Sequence, residues 1–195
     1  MPFLPKSRER YYAALRVMIQ NRILKYGPTI KQMKNLKKIA IAEALYRPAH
    51  PVCTNVAELC DSLLGSCLLK LSRHKKYLST AFVGGGNYFV DQKLLLLLLL
   101  ELTATCFEGK HCEISVNCEE DGIRFTATGK AKKGYLAPLV KKSGAALFKD
   151  SAANVTVIHI LAQKTDEIPP PNLKEWEYLC DPLSLIHIFL SDMDL

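Results

Sequence analysis

The sequence feature that most constrains the fold is an unbroken run of seven leucines, residues 94–100, which lies between Asp91 and Glu101. Leucine has a strong helix propensity and Asp91 is a typical N-cap residue, so the segment predicts a helix over about 91–107. The run is far shorter than the roughly 18 to 20 apolar residues that cross a bilayer. A helix that is apolar on every side is instead expected in the core of a globular domain.

The residues around this helix predict further elements. After it, residues 111–118 and 123–127 alternate in polarity on either side of Asp121-Gly122, which is the pattern of a β-hairpin. Before it, Asn55 and Glu58 form a capping-box pattern that begins a helix extending to about Arg73. Residues 76–82 and 154–161 are also predicted to be strands.

This order of segments resembles the ATP-binding domain of sensor histidine kinases. The shared features are a Val90-Asp91 pair, a leucine-rich helix ending in Glu101-Leu102, a charged turn, the hairpin, and a glycine-containing loop. The resemblance covers residues 53–163 and implies an α/β fold, a two-layer sandwich with a mixed sheet of about five strands and three helices on one face. It also implies that residues 1–49 form a dimerisation hairpin in front of this domain, with residues 164–195 as a tail.

Two of the family's nucleotide motifs are altered in this chain. The family's helix ends in Glu/Asn-Leu-x-x-Asn-Ala, whose asparagine holds magnesium, whereas Thr105 stands at the matching position here. In the family's Asp-x-Gly-x-Gly motif the carboxylate accepts a hydrogen bond from the adenine amino group. The matching residues here are Ala127, Gly129 and Ala131, and an alanine side chain cannot accept that bond.

The other nucleotide-contacting features of the family are also reduced. The third motif, a Gly-x-Gly, is expected within residues 151–156, which contain no glycine, and the loop matching the family's lid spans only residues 130–135. Each lost contact removes on the order of 1 to 3 kcal/mol of binding free energy. We therefore expect no cofactor and no productive use of ATP, and we expect Glu101 to be a partly buried, hydrogen-bonded carboxylate.

Residues 1–49 are predicted to form two helices separated by Gly27-Pro28. Each helix carries one apolar stripe at spacings of three and four, formed by Tyr12, Leu15, Ile19, Ile23 and Tyr26 in the first and by Ile30, Met33, Leu36, Ala40 and Ala44 in the second. We expect a homodimer through residues 7–47. No histidine precedes His50, so the family's phosphorylated histidine is missing. The segment carries a charge of +9, and binding to nucleic acid or to a membrane surface is a less favoured alternative.

The cysteines and histidines predict no metal site and no catalytic site. Cys53, Cys60 and Cys67 are spaced by seven, which places them on one helical face and favours core packing. Cys106 and Cys112 lie near His111, but no third group is available to orient a nucleophile. His159 is expected to be a satisfied core or sheet-face histidine. Seven cysteines without a signal peptide favour a reducing cytoplasm.

The end of the chain differs in composition. Residues 168–171 begin an extended tail, in which Trp176 and Tyr178 are able to dock on the domain. Residues 183–188 match the translation of a transposase end sequence used in preparing sequencing libraries. We therefore expect residues from about 183 to 195 to be sequencing read-through. The alternative is an ordinary apolar C-terminal strand or helix.

Together, these features predict a catalytically degenerate histidine-kinase-like protein, a pseudokinase that acts as a binding and dimerisation module in bacterial two-component signal transduction. The resemblance also implies a possible protein partner in signalling. The alternative function is a divergent histidine kinase that still binds ATP with magnesium.

Overall fold

The computed structural model describes residues 5–107, 110–132, 134–170, 185–191 and 193. In chain order the elements are α1 (Pro5–Tyr26), α2 (Ile30–Tyr46), β1 (Val52–Asn55), α3 (Val56–Ser72), β2 (Tyr77–Val83), β3 (Asn87–Val90), α4 (Gln92–Cys106), β4 (His111–Glu119), β5 (Gly122–Thr128), α5 (Leu136–Ser143), β6 (Ala146–Asp150), β7 (Val155–Leu161), β8 (Lys164–Thr165) and α6 (Leu185–Leu190). The chain divides into two compact units. One contains α1, α2 and α6, and the other contains the elements from β1 to β8.

The first unit contains the predicted helical hairpin. Thr29 caps α2 through a capping box with Gln32, and Arg16 of α1 forms an ion pair with Glu43 of α2. Most of each predicted stripe is buried or half-buried between the helices, but Tyr26 and Ile30, which flank the Gly27-Pro28 turn, are exposed. Helix α6 packs on α2, and the Lys37 ammonium lies 5.2 Å from the centre of the Phe189 ring. The apolar segment near the end of the chain is therefore helical over Leu185–Leu190.

The second unit has the predicted α/β architecture. Its main sheet has the strand order β2-β4-β5-β7-β6, in which β2 pairs parallel to β4 and the other pairs are antiparallel. The predicted mixed sheet of five strands is thus confirmed. A second, antiparallel sheet of order β1-β3-β8 was not predicted. Its strands are only two to four residues long and show no clear alternation of polar and apolar residues.

Helix α4 lies in the core, as the leucine run predicts. Leu97, Leu98, Leu99 and Leu100 have no exposed surface, and Asp91 caps the helix by accepting the N–H of Leu94 at 3.0 Å. The hairpin of β4 and β5 is also present. Gly122 is the first residue of β5 rather than part of the turn, and it lacks room for a side chain because the Ile160 carbonyl of β7 lies against it.

The prediction that Cys53, Cys60 and Cys67 lie on one helical face was wrong for Cys53. Cys53 lies on β1 and not on a helix, because α3 begins only after the N-cap residue Asn55. Cys60 and Cys67 are fully buried on α3, and Cys53 is buried as well. All three therefore pack as small apolar residues.

Two further points concern the limits of the described chain. The predicted docking of Trp176 and Tyr178 falls outside the residues that the structure describes. Within the described part, no helix has both the length and the hydropathy that crossing a bilayer requires.

Candidate functional site

The last turns of α4 carry Glu101 and Thr105, and both side chains are held by the protein itself. Glu101 is 1% exposed, and its Oε1 accepts a hydrogen bond from the Tyr135 N–H at 2.9 Å. The Thr105 hydroxyl donates to the Glu101 backbone carbonyl at 2.7 Å. The hydroxyl is therefore directed back along its own helix, as is common for threonine within helices.

The backbone of residues 129–132 and 134–135, which we call the covering loop, lies over this end of α4. The Lys132 N–H donates to the Thr105 carbonyl at 3.2 Å. At Gly134, a Cβ atom would lie 2.5 Å from Glu101 Oε1 and 3.2 Å from Thr105 Cγ2. Gly134 therefore allows the loop backbone to approach both side chains more closely than any other residue would allow.

The covering loop begins at the predicted glycine motif. Ala127 is fully buried near the end of β5, opposite Ile114 of β4 and Thr156 of β7. Its methyl group has no hydrogen-bonding capacity. Gly129 has φ +100°, a conformation that glycine adopts readily, and its N–H donates to the Asn154 carbonyl at 2.6 Å.

Thr156 is a site residue that the sequence analysis missed. Its buried hydroxyl donates to the Gly129 carbonyl at 3.0 Å and accepts the Ala131 N–H at 3.0 Å. One side chain of β7 thereby joins Gly129 and Ala131, two of the predicted site residues. The sequence did contain a signal for this role. Thr156 is a polar residue at a position of β7 where the alternation predicts a buried side chain.

The segment predicted to carry the third motif forms a turn. Asp150 Oδ1 accepts the N–H groups of Ala152 and Ala153 at 2.8 and 3.0 Å, and Asn154 adopts a left-handed conformation with φ +53°. An aspartate side chain that binds the following backbone in this way is typical of turns. The backbone N–H groups of Ala152 and Ala153 are therefore engaged within the turn itself.

The structure therefore places Glu101 and Thr105 together beneath the covering loop, joins Gly129 to Ala131 through Thr156, and leaves Ala127 within the sheet. Two cavities formed wholly by described residues, of about 200 and 190 Å³, lie elsewhere. The first includes Asp91 and Lys142, and the second lies on the sheet near Glu113. Neither is lined by Glu101, Thr105 or Ala127.

The other candidate for catalysis does not assemble. Cys106 and Cys112 are buried, whereas His111 is exposed and stacks on Tyr77 with ring centres 5.2 Å apart. His159 lies on the sheet face as expected, but its Nε2 is buried without a hydrogen-bond partner among the described residues, so the expected satisfied histidine is not observed.

Comparisons with known proteins identify the fold. No protein-family model and no curated protein sequence matches this chain. Among solved structures, full-length ShkA in complex with AMPPNP aligns with 88% of this chain at 11% identity and a TM-score of 0.57. The chain spans about half of that protein, 48% of its length. The histidine kinase AdeS of Acinetobacter baumannii, at 9% identity, and the catalytic domain of histidine kinase ThkA, at 14% identity, align with TM-scores of 0.49 and 0.48. They cover 82% and 60% of this chain, and the alignments include 98% and 99% of their own lengths.

Proposed function

On the histidine-kinase-like fold that the ShkA alignment shows, we propose a catalytically degenerate protein that works as a binding and self-association module in bacterial signal transduction. The observation that carries this proposal is the covering loop. Its backbone donates hydrogen bonds to the Glu101 carboxylate and to the Thr105 backbone carbonyl, and Gly134 lies close to both side chains, at the positions where the family resemblance expects contacts with magnesium and nucleotide.

The chemistry of these positions supports the same conclusion. A magnesium ion prefers oxygen ligands that are free to complete an octahedron, and the Thr105 hydroxyl is already directed to the Glu101 carbonyl. At Ala127 a buried methyl replaces the carboxylate that would recognise adenine. A nucleotide would have to displace the Tyr135–Glu101 hydrogen bond without gaining either of these contacts in return.

The first experiment measures Mg-ATP binding by calorimetry and by thermal shift, with EDTA as the control for metal dependence. We expect no heat of binding and no shift at millimolar Mg-ATP. The alternative function, a divergent histidine kinase, would be supported by a shift that EDTA abolishes and that Glu101→Gln reduces. A shift that persists in EDTA and in Glu101→Gln would indicate binding at a different site and would leave the proposed degeneracy intact.

Self-association is supported by the outer surface of α1. Directly opposite the side that contacts α2, the helix exposes large apolar side chains at heptad-like spacing, and these are Tyr11, Val17, Met18 and Leu24. Exposed apolar stripes of this kind on a helix are normally covered by another helix. A second copy of the hairpin supplies a matching stripe, and residues 7–47 are the proposed dimer interface.

The test of self-association compares the sedimentation of the full chain with that of a Met18→Glu variant. We expect the wild type to sediment as a dimer and Met18→Glu as a monomer, because a charge would be buried in the interface. Ala13→Glu, which adds the same charge on the flank of the same helix, is expected to remain dimeric. A monomeric wild type would refute the proposed interface.

A cytoplasmic location is part of the proposal. The six cysteines among the described residues are all free thiols, which is the usual state of cysteine in a reducing compartment.

A further inference from the structure

The β4–β5 turn and the neighbouring strand β7 bring together three potential metal ligands. One ligand atom from each of Glu119, Asp121 and His159 lies within 4.8 Å of the other two. We propose that these residues bind a divalent transition-metal ion of the Zn²⁺ class. The site lies outside the covering loop and the α4 residues beneath it, so it is independent of the proposed loss of ATP binding.

The sheet register brings these residues together. Glu119 is the last residue of β4, Asp121 lies in the turn, and Gly122 of β5 pairs with Glu119 on one side and Leu161 on the other. A Cβ atom at Gly122 would lie 3.1 Å from His159 Nε2. The Nε2 end of the imidazole therefore reaches the turn that carries both carboxylates.

His159 supplies the observation that points to a ligand. Its Nε2 is buried and has no hydrogen-bond partner among the described residues. Buried polar atoms in folded proteins are nearly always satisfied, so an atom in this state calls for a missing partner. A metal ion bound by Nε2 would satisfy it, and an imidazole with two carboxylates is a donor set that Zn²⁺ accepts, with water in the remaining position.

The distances are compatible with this ion after small side-chain movements. Zn²⁺ bonds of about 2.0 to 2.2 Å place neighbouring tetrahedral ligands about 3.4 Å apart. The observed separations are at most 4.8 Å, and Asp121 is exposed and therefore free to rotate towards the other two ligands. Only small movements are needed because Glu119 and His159 lie on the same face of the sheet and the turn that carries Asp121 adjoins them.

Arg124 limits the strength of the site. Its Nη2 lies 3.2 Å from Glu119 Oε2, so the guanidinium takes one carboxylate oxygen and leaves Oε1 for the ion. The two carboxylates together carry one more charge than the Arg124 guanidinium neutralises, which favours a cation. Removing the guanidinium with Arg124→Gln is therefore expected to tighten metal binding.

The test is calorimetric titration of the full chain with Zn²⁺ under reducing conditions. We expect one ion per chain, and binding weakened by more than about tenfold in both His159→Gln and Asp121→Asn, since loss of even an outer partner of a metal ligand has effects of that size. Two matched controls are expected to bind as the wild type does. His111→Gln removes an exposed histidine of β4, and Glu120→Gln removes the adjacent acid, which is paired with Lys164 at 2.7 Å.

Co²⁺ is the second probe, because its absorption spectrum distinguishes nitrogen and oxygen ligands from thiolates. A spectrum without thiolate charge-transfer bands supports the site, and such bands would assign the metal to cysteines and overturn it. The proposal is also overturned if the wild type binds no Zn²⁺, or if His111→Gln weakens binding as much as His159→Gln. Asp121→Asn alters an exposed side chain, so it keeps the test valid even if His159→Gln fails to fold.

Discussion

Replacing Thr156 with valine tests whether one hydroxyl holds the covering loop in place. Valine has nearly the same shape as threonine, so the change removes the hydroxyl without creating a cavity. Both hydrogen bonds of that hydroxyl, from Ala131 N–H and to the Gly129 carbonyl, are 3.0 Å long, and both partner residues are buried. After the substitution, water cannot easily replace the lost partner at either backbone group.

The expected loss of stability follows from these two groups. A typical hydrogen bond contributes about 1 kcal/mol, and a buried group left unsatisfied costs about 1 to 3 kcal/mol. For two groups, with some relaxation of the loop, we expect Thr156→Val to lower the free energy of unfolding by about 2 to 4 kcal/mol. This is a large part of the roughly 5 to 15 kcal/mol that stabilises a typical domain.

The assay is urea denaturation followed by circular dichroism, with hydrogen exchange of residues 127–136 as a local measurement. Exchange at the Ala131 N–H is expected to accelerate, because its acceptor is gone. The matched control is Thr126→Val on the adjacent strand β5, where the threonine is half-exposed and makes no side-chain hydrogen bond to the described residues. A loss below about 0.5 kcal/mol in Thr156→Val, or an equal loss in both variants, would refute the proposed role of this hydroxyl.

Three further variants test the core, the covering loop and one half-buried charge. Gly134→Ala forces a Cβ atom against Glu101 Oε1, so thermal melting should show destabilisation, whereas Gly65→Ala in α3, where a Cβ meets no atom within 4 Å, should be neutral or stabilising; the reverse order would contradict the packing described for the loop. Leu97→Asp places a charge at a fully buried position of α4 and should unfold the α/β unit in circular dichroism melts, and an unchanged melting temperature would show that α4 is not in the core. Burial lowers the pKa of Lys70 to about 8, so between pH 8 and about 10 the unfolded chain binds more protons and this group makes stability rise with pH. The raised thiol pKa values of Cys53, Cys60, Cys67 and Cys118 act in the opposite direction, so the test is the difference between variants. Urea denaturation across that range should give a slope of stability against pH that is more positive in the wild type than in Lys70→Met, and identical slopes would exclude the effect.

The sequence was sufficient to predict the elements whose cause is local. The leucine run forms a helix that is apolar on every side, so the segment alone is enough to predict that α4 is helical and buried. The hairpin of β4 and β5 follows from alternation and from the residues of its turn. The strands of the small sheet could not be predicted in the same way, because Lys164 and Thr165 form a strand only through their pairing with β3.

The candidate sites show the same limit. The sequence indicated which side chains differ from the resembled family at Thr105 and Ala127. It did not indicate that the covering loop lies over this end of α4. The contacts are made by the backbone N–H groups of Lys132 and Tyr135, and backbone N–H groups carry no sequence signal. The cluster around His159 was missed because β7 is distant in the chain from Glu119 and Asp121, and His159 reaches these residues only through the register of β5 with β7.

The two neighbours of β4 also determine the order in which this sheet can assemble. β5 follows after a turn of only two residues, Glu120 and Asp121, so the hairpin closes a short loop and forms on the microsecond timescale typical of hairpins. β2 pairs in parallel, which requires β3 and α4 to be placed first, and the closure of such a long loop is slower. Until β2 docks, the edge of β4 that pairs with it keeps unpaired backbone N–H and C=O groups that are open to other chains. Refolding at high protein concentration is therefore expected to lose material to aggregation during this interval.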